Sequence, residues 1–277
     1  MSTEDVEGGT AAAGAAPIGA GAGGVVPGRR VLVTGASGGI GSAVAAAFAR
    51  LGDKVAVHCS ASPDRAAAVL ADLPGDGHVL VEADLGDPEQ VPGLVEAVVD
   101  GLGGLDVLVN NAAVMNPAHP PVDTPYAEWV AAWQRIVGVN LIGAAALTHQ
   151  AAAVMVRQGT GGRVVNVGSR GAFRGEPEYP AYGASKAGLH ALGQSLALAL
   201  APHGISVTSV APGFVATERV SQRLDGASGQ AIRAQSPFDR VATPEEVAAA
   251  VVYLASGPAL WASGAVLDLN GASYLRT

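Results

Sequence analysis

The sequence predicts a single α/β domain built on a doubly wound, mostly parallel sheet of seven strands. Short β-branched runs alternate with longer Ala-rich stretches, which is the pattern of strands that alternate with helices. The runs are apolar throughout, as expected for a parallel sheet that helices cover on both faces. A length of 277 residues with 49% hydrophobic content is sufficient for one large core.

The strands and helices can be placed in order along the chain. β-Branched runs predict the strands, and Ala-rich stretches between them predict the helices. No Pro- or Ser-rich linker interrupts the chain after Arg30, which favours one domain over residues 29–277. The predicted strands are 31–33, 55–57, 79–81, 107–109, 164–167, 206–210 and 266–269, and the predicted helices are 42–50, 88–101, 125–136, 141–157, 182–201 and 244–255.

The N-terminal segment differs from the rest of the chain. Residues 1–28 form an Ala/Gly-rich tail with too few large apolar side chains to offset the entropy of ordering it, so we expect disorder there. Glu4, Asp5 and Glu7 stand where a secretory signal would be basic. The single cysteine, Cys59, cannot form an internal disulfide. We therefore expect a reducing compartment, the cytoplasm.

Composition also disfavours several classes of partner. A formal net charge of −8 is unsuited to binding nucleic acid or anionic lipid. Two uncharged windows, 8–28 and 136–156, do not resemble membrane spans, because the first is rich in Gly and Pro and the second contains Asn140, His149 and Gln150. No Cys or His cluster has the spacing of zinc ligands, so we expect no metal site.

A glycine-rich turn follows the first predicted strand. The stretch TGASGGIG (residues 34–41) leads directly into an Ala-rich helix. Glycines let a backbone approach a pyrophosphate closely, and the N-terminus of the next helix attracts its charge. The spacing differs from the GxGxxG fingerprint, so by itself the turn is equally consistent with a tight connection that binds nothing.

Four polar residues downstream make the pattern specific. Asn140 stands at the start of the predicted helix 141–157, Ser169 follows the fifth predicted strand, and Tyr182 precedes Lys186 by four residues. Together with the TGxxxGxG turn and Asn110-Asn111-Ala-Ala after the fourth strand, this set resembles the short-chain dehydrogenase/reductase family and its Asn-Ser-Tyr-Lys tetrad. The resemblance extends from Arg30 to the C-terminus. It implies a Rossmann-type fold and a nicotinamide-dependent oxidoreductase acting on a secondary alcohol or ketone.

The resemblance also implies a set of cofactor contacts. The glycine turn would hold the diphosphate and ribose, the end of the third strand would flank the adenine, and the end of the sixth would bind the nicotinamide amide. Ala113 departs from the glycine usual in the family, which adds a methyl group near the cofactor. The implied residues are Gly35, Ser37, Gly39, Ile40, Gly41, Ser60, Asp84, Leu85, Asn111, Ala112, Gly213, Val215 and Thr217, together with Tyr182 and Lys186.

The end of the second strand bears on the choice between NAD and NADP. Enzymes selective for NAD usually place an acid there, and residues 57–62 (VHCSAS) contain none. Ser60, Ser62 and Arg65 suit a 2′-phosphate, although Gly38 stands where many NADP-dependent relatives have an arginine. NADP(H) is therefore preferred here, with NAD(H) as the alternative.

The tetrad has a chemical rationale. Tyrosine has an unperturbed pKa of ~10, and a neighbouring ammonium favours its ionised form. Lys186 shares a helix face with Tyr182, so Tyr182 can act as the acid/base while Ser169 donates to the same substrate oxygen. The resemblance adds that Asn140 anchors a relay water and that Lys186 holds the nicotinamide ribose.

Other residues near the tetrad have two possible interpretations. Tyr179 lacks a lysine four residues on and is interpreted as a wall of the substrate pocket. Arg170 and Arg174 either meet an anionic substrate or are solvated. The segment 217–240 is either a mobile lid or a surface helix pair. His149, His190 and His203 occur singly on Ala-rich helices and are interpreted as surface or interface residues.

The sequence leaves the substrate and the assembly to be established. A 3-oxoacyl-thioester reductase competes with a reductase for free small carbonyl compounds, and a non-catalytic cofactor sensor is a third reading. The predicted helices 141–157 and 182–201 are apolar around much of their circumference, so we expect them to pair with a partner subunit in a homodimer or homotetramer.

Overall fold

The computed structural model of the chain describes residues 28–221 and 226–276. The predicted disorder of the N-terminal tail therefore concerns residues that lie, apart from Gly28, outside the described part. Within it the chain alternates strands and helices from Arg30 onward, as the hydrophobic pattern predicts.

Seven strands form one sheet in the order β3-β2-β1-β4-β5-β6-β7, and every neighbouring pair is parallel. This confirms the predicted doubly wound α/β sheet. The chain winds outward from β1 in both directions, so β1 and β4 flank the switch point where ligands bind in such sheets. The strands are β1 (Arg30–Val33), β2 (Lys54–Cys59), β3 (Val79–Glu82), β4 (Val107–Asn110), β5 (Gly162–Val167), β6 (Ile205–Pro212) and β7 (Val266–Leu269).

Ten α-helices are described, and the longer ones cover both faces of the sheet. The six predicted helices are present. The sequence analysis missed α2 and the short helix α6, while α8 and α9 lie where it offered a surface helix pair as the alternative to a lid over 217–240. The bounds are α1 (Gly39–Arg50), α2 (Pro63–Ala71), α3 (Val91–Leu102), α4 (Tyr126–Val137), α5 (Ala144–Gln158), α6 (Gly171–Arg174), α7 (Pro180–Leu200), α8 (Glu218–Ser221), α9 (Gly226–Arg233) and α10 (Pro244–Leu254).

The core has two halves, one on each face of the sheet. On β1, Val31 and Val33 point into the half that packs against α1 and α10. Leu32, between them, points into the other half, which packs against α3, α5 and α7. Because both faces are buried, the strands are continuously apolar and leave little room for polar side chains except at their ends.

The helices α4 and α5 are continuous, which differs from the predicted break at 137–140. A wide π turn, Gly138–Gly143, joins them and contains Asn140. The resulting helix, Tyr126–Gln158, has 33 residues, and its most apolar 18-residue window has a mean hydropathy of 1.5, so by length and composition alone it could cross a membrane. More than half of its most apolar window, 56%, is buried inside the protein.

Candidate active site

The glycine turn joins β1 to α1 at the switch point of the sheet. A Cβ atom at Gly35 would lie 2.8 Å from the Cα of Ala112, and one at Gly41 would overlap the carbonyl oxygen of Gly35. The N-cap of α1 is Gly38, which has no side chain that could accept from the first N–H groups of the helix. These N–H groups can therefore bind an anion. This cradle therefore fits the diphosphate of a dinucleotide.

Polar side chains from neighbouring strands hold this turn. The Nδ1 of His58 accepts from the Gly35 amide at 3.1 Å, and its Nε2 lies 3.0 Å from the carbonyl oxygen of Ala83. Because the amide can only donate, Nε2 carries the proton. Burial lowers the pKa of His58 to about 4, although the bond to Ala83 opposes the shift. His58 therefore ties β1, β2 and β3 together, a role that sequence reasoning missed.

Asn111 supports the same turn from β4. Its side-chain amide donates to the carbonyl oxygens of Thr34 and Gly35 at 2.8 and 3.1 Å. The hydroxyl of Thr34 accepts from the backbone amides of Asn111 and Ala112, both at 2.9 Å. The Asn111 side chain thus shapes the turn, and the expected contact of Asn111 and Ala112 with the adenine ribose stays a prediction. Thr34, a polar residue directly after the buried strand β1, was the sequence feature that could have predicted this support.

At the ends of β2 and β3, some of the predicted cofactor residues are exposed to solvent and others lie in the core. Ser60 is exposed, whereas Cys59 points into the core, and burial raises the pKa of its thiol. Asp84 forms an ion pair with Arg135 at 2.8 Å, which holds the pKa of its carboxyl below the usual value. The side chain of Leu85 is core, with 3% exposure. Its expected contact with adenine stays a prediction.

The segment after β6 leans over the glycine turn. The Cγ2 of Thr217 lies 3.2 Å from the position that a Cβ at Gly39 would take. Val215 is buried and bridges to Ala242, and the Gly213 amide donates to the end of β7. Ser37 and Ile40 are half-buried in the turn itself. The segments that follow β1, β4 and β6 therefore lie beside one another at the carboxyl end of the sheet, a region called the cleft below. Their contact with a cofactor stays a prediction.

An ion pair crosses the outer end of this cleft. The Nη2 of Arg65, on α2, lies 2.5 Å from the Oε2 of Glu218 on α8. The same nitrogen is 2.8 Å from the position of a Cβ at Gly38. The glycine turn itself has no arginine at Gly38, but Arg65 of the helix α2 places a guanidinium beside that position.

Tyr182 and Lys186 lie in the first two turns of α7. The ammonium of Lys186 is 5.8 Å from the ring centre of Tyr182 and donates to the Val167 carbonyl oxygen at 2.7 Å. Lys186 is only 2% exposed, while Tyr182 is half-buried. A charged group buried this deeply acts strongly on its neighbours because little water screens it.

Asn140 connects three parts of the site. Its Oδ1 accepts from the Val114 amide at 2.8 Å, and its Nδ2 donates to the Val114 carbonyl oxygen at 2.9 Å and to the Ser185 hydroxyl at 3.0 Å. The Ser185 hydroxyl in turn donates to the Tyr182 carbonyl oxygen at 2.8 Å. Both N–H bonds of the Asn140 side chain are thus used. A water bound by Asn140 must therefore donate to one of the oxygen atoms of this residue.

Ser169 follows β5, as predicted, and its hydroxyl oxygen accepts from the Gly171 amide at 3.0 Å. This bond orients the oxygen and leaves the hydroxyl proton for donation.

His190 lies close by and is buried, with 4% exposure, stacked on Phe173 at 5.2 Å. The interpretation of His190 as a surface or interface residue of the subunit is therefore wrong, because its helix face packs on β5. Burial lowers its pKa to about 4. His149 and His203 are exposed.

The other flanking residues have mixed outcomes. Arg170 is 7% exposed and donates to Ser273 at 2.5 Å and to Gln235 at 2.8 Å, so it is not a solvated surface residue. Arg174 is exposed and also donates to Gln235. Tyr179 is buried at the N-cap of α7. The expected lid, 217–240, contains the helices α8 and α9 in its described part, and residues 222–225 of it lie outside that part.

A glycine cradle at the switch point of a parallel sheet, together with a half-buried tyrosine and a buried lysine on the helix α7, defines a nicotinamide-dependent oxidoreductase of the α/β class. A family model described as enoyl-(acyl carrier protein) reductase matches residues 35–271. The chain belongs to the short-chain dehydrogenase/reductase family.

Several relatives align over nearly their whole length. An L-rhamnose 1-dehydrogenase (NAD(P)(+)) of Sphingomonas sp. is 38% identical over 91% of this chain and 98% of its own. A protein of the same name from Azotobacter vinelandii is 36% identical over 90% of this chain and 97% of its own. A 3-oxoacyl-(acyl-carrier-protein) reductase of Vibrio cholerae is 34% identical over 90% of this chain and 98% of its own.

Proposed function

We propose that this protein interconverts a secondary alcohol and a ketone, or the equivalent lactol and lactone of a sugar, with NADP(H) and with Tyr182 as the acid/base. The observation that carries this proposal is the buried ammonium of Lys186, 5.8 Å from the ring centre of Tyr182, beside a cradle that fits a dinucleotide. A cofactor sensor without turnover would have no need of this pair.

Tyr182 would exchange a proton with the substrate oxygen. The positive charge of Lys186 stabilises the phenolate that forms when the proton leaves, and the bond from Lys186 to Val167 holds that charge in place. Ser169 donates its hydroxyl proton to the same substrate oxygen, because its own oxygen is oriented by the Gly171 amide. Asn140 and Ser185 hold the backbone of Tyr182.

The cleft residues would hold the cofactor along the carboxyl ends of the strands. When bound, NADP(H) supplies the hydride donor or acceptor. The amides at the start of α1 and the cradle of Gly35 and Gly41 suit the diphosphate, and Thr217 covers the turn from the other side. The helix α7 begins on the connection that leaves the carboxyl end of β5, so the same edge of the sheet carries Tyr182 and the glycine turn.

Two residues favour NADP(H) over NAD(H). Ser60, exposed at the end of β2, is not acidic, so nothing at this position repels a 2′-phosphate. Arg65 places a guanidinium beside Gly38, where it pairs with Glu218, whose side chain is itself solvent-exposed. An exposed ion pair is weak and can be exchanged for a phosphate.

The relatives and the net charge decide which substrates are tested first. Two relatives carry the name L-rhamnose 1-dehydrogenase, so aldoses are the first substrates to test. A carrier-bound 3-oxoacyl thioester is the second candidate, supported by the Vibrio cholerae relative. The net charge of −8 disfavours docking of an acidic carrier protein.

The proposal is tested by a panel of aldoses, secondary alcohols, ketones and a 3-oxoacyl thioester, each assayed by nicotinamide absorbance with NADP(H) and NAD(H). Tyr182→Phe, which keeps the ring, should lower kcat at least 100-fold and leave cofactor affinity within about threefold. Turnover of Tyr182→Phe near the wild-type rate would refute the role of Tyr182.

A further inference from the structure

His119 is a fully buried histidine in the loop between β4 and α4, with 0% exposure. Three hydrogen bonds hold it. Its backbone amide donates to the Glu178 carbonyl oxygen at 2.9 Å, its Nδ1 lies 2.8 Å from the Pro117 carbonyl oxygen, and its Nε2 lies 3.1 Å from the amide nitrogen of Ala181. The bond to Ala181 reaches the residue directly before Tyr182.

These partners fix the state of the ring. The amide of Ala181 can only donate, so the Nε2 of His119 accepts and carries no proton. The carbonyl oxygen of Pro117 can only accept, so the proton lies on Nδ1. His119 is therefore neutral, and both of its ring nitrogens are satisfied in the interior.

The bond to Ala181 supplies something that α7 otherwise lacks. The first N–H groups of a helix have no acceptor within the helix and are normally capped by Ser, Thr, Asp or Asn. The N-cap of α7 is Tyr179, which makes no side-chain capping bond. The Nε2 of His119 takes that place from a different part of the chain.

Packing restricts the ring further. His119 meets Trp129 edge-on, with ring centres 5.7 Å apart, and Tyr179 likewise at 6.4 Å. The same loop is attached at its start, where Val114 makes two hydrogen bonds with the side chain of Asn140. The loop thus connects the π turn that carries Asn140 with the first turn of the helix that carries Tyr182.

We propose that His119 is a positioning residue, whose Nε2 caps α7 and thereby fixes the phenol of Tyr182 relative to Ser169 and the bound substrate. This inference rests on the proposed role of Tyr182. Catalysis is sensitive to such placement, since a displacement of 1 Å can cost about 100-fold in rate.

Two isosteric variants isolate the capping bond. His119→Gln keeps an acceptor near the position of Nε2, whereas His119→Met has the same length, packs in an apolar interior and offers no comparable acceptor. Both lose the bond to Pro117, so their difference reports the bond to Ala181 alone. Each variant is assayed for kcat, cofactor dissociation constant, melting temperature and amide hydrogen exchange.

We expect kcat of His119→Met to lie at least tenfold below that of His119→Gln, with cofactor affinity equal in the two. The amide of Ala181 should exchange slowly in the wild type and in His119→Gln and faster in His119→Met. Equal kcat values in the two variants would overturn the proposal, as would a His119→Met that fails to fold while His119→Gln folds, because His119 would then be structural only.

The exchange measurement separates this inference from the proposed function. If the wild type turns over no substrate of the panel, the proposed function fails, and the exchange rate of Ala181 still decides whether His119 caps α7. Rapid exchange of that amide in the wild type would overturn the cap whatever the activity.

Discussion

Arg65→Gln should weaken the binding of NADPH and leave that of NADH unchanged. The guanidinium of Arg65 lies beside the glycine turn, 2.8 Å from the position of a Cβ at Gly38, and it is paired with Glu218. A 2′-phosphate on the adenine ribose would compete with Glu218 for this guanidinium. NADH has no such phosphate, so its affinity should not depend on the charge at this position.

The size of the effect follows from the exposure of the pair. A hydrogen bond to a charged group contributes roughly 1.5–3 kcal/mol. The exposed bond to Glu218, which the phosphate would displace, contributes about 0–1 kcal/mol. The side chains of Arg65 and Glu218 are 57% and 77% exposed, so we take a net loss of about 1–2 kcal/mol. That corresponds to a roughly 5- to 30-fold increase in the dissociation constant of NADPH.

Fluorescence titration of NADPH and NADH at the same ionic strength measures both affinities. The control is Arg50→Gln, which removes an exposed arginine at the opposite end of α1 from the glycine turn. An equal loss for both nucleotides, or a wild type that already binds NADH more tightly than NADPH, would refute the reasoning.

Other outcomes follow from the same geometry. Gly41→Ala should raise the dissociation constants of both nucleotides at least tenfold, measured by the same titration, because its methyl group has no space in the turn. Lys186→Met should lower both kcat and cofactor affinity, and a change in only one would contradict its double role. Burial lowers the pKa values of His58 and His190 from 6.5 to about 4, so the unfolded chain binds protons that the fold excludes, and the free energy of unfolding in urea should fall as pH drops from about 6.5 to about 4. The loss should reach at most ~3 kcal/mol for each histidine. Leu198 on α7 and Val156 on α5 are exposed, as expected if these two helices pair in a homo-oligomer, which light scattering should detect; a strictly monomeric active protein would contradict this expectation.

The sheet could be predicted because its strands are buried on both faces. Val31, Leu32 and Val33 all have to be apolar, since each faces one half of the core, and such runs are easily found in a sequence. The helix α2 was missed because only Ala66 of it is fully buried, while Val69 and Leu70 are half-buried and its other residues are exposed. The π turn at Asn140 was missed because its local sequence resembles an ordinary helix break.

The candidate site was predictable only where chemistry and spacing coincide. Tyr182 and Lys186 share a face of any α-helix that contains them, so their spacing alone predicts their proximity. The capping bond of His119 joins residues 62 positions apart, and no local pattern encodes such a contact. Nor does the sequence state that His190 faces the sheet, because an Ala-rich helix has no marked polar side.

The polar residues around the cleft divide into two groups with different expected effects. His58 joins the ends of three strands and is almost completely buried, so its replacement should reduce stability and affinity for both nucleotides together. Arg65 is exposed and forms an ion pair with Glu218, which is exposed as well. Replacing Arg65 should therefore alter selectivity and leave stability nearly unchanged. Comparing His58→Phe with Arg65→Gln in urea unfolding and in titration with both nucleotides tests this division. If the two variants lose stability equally, burial does not determine which residues shape the cleft and which ones select its ligand.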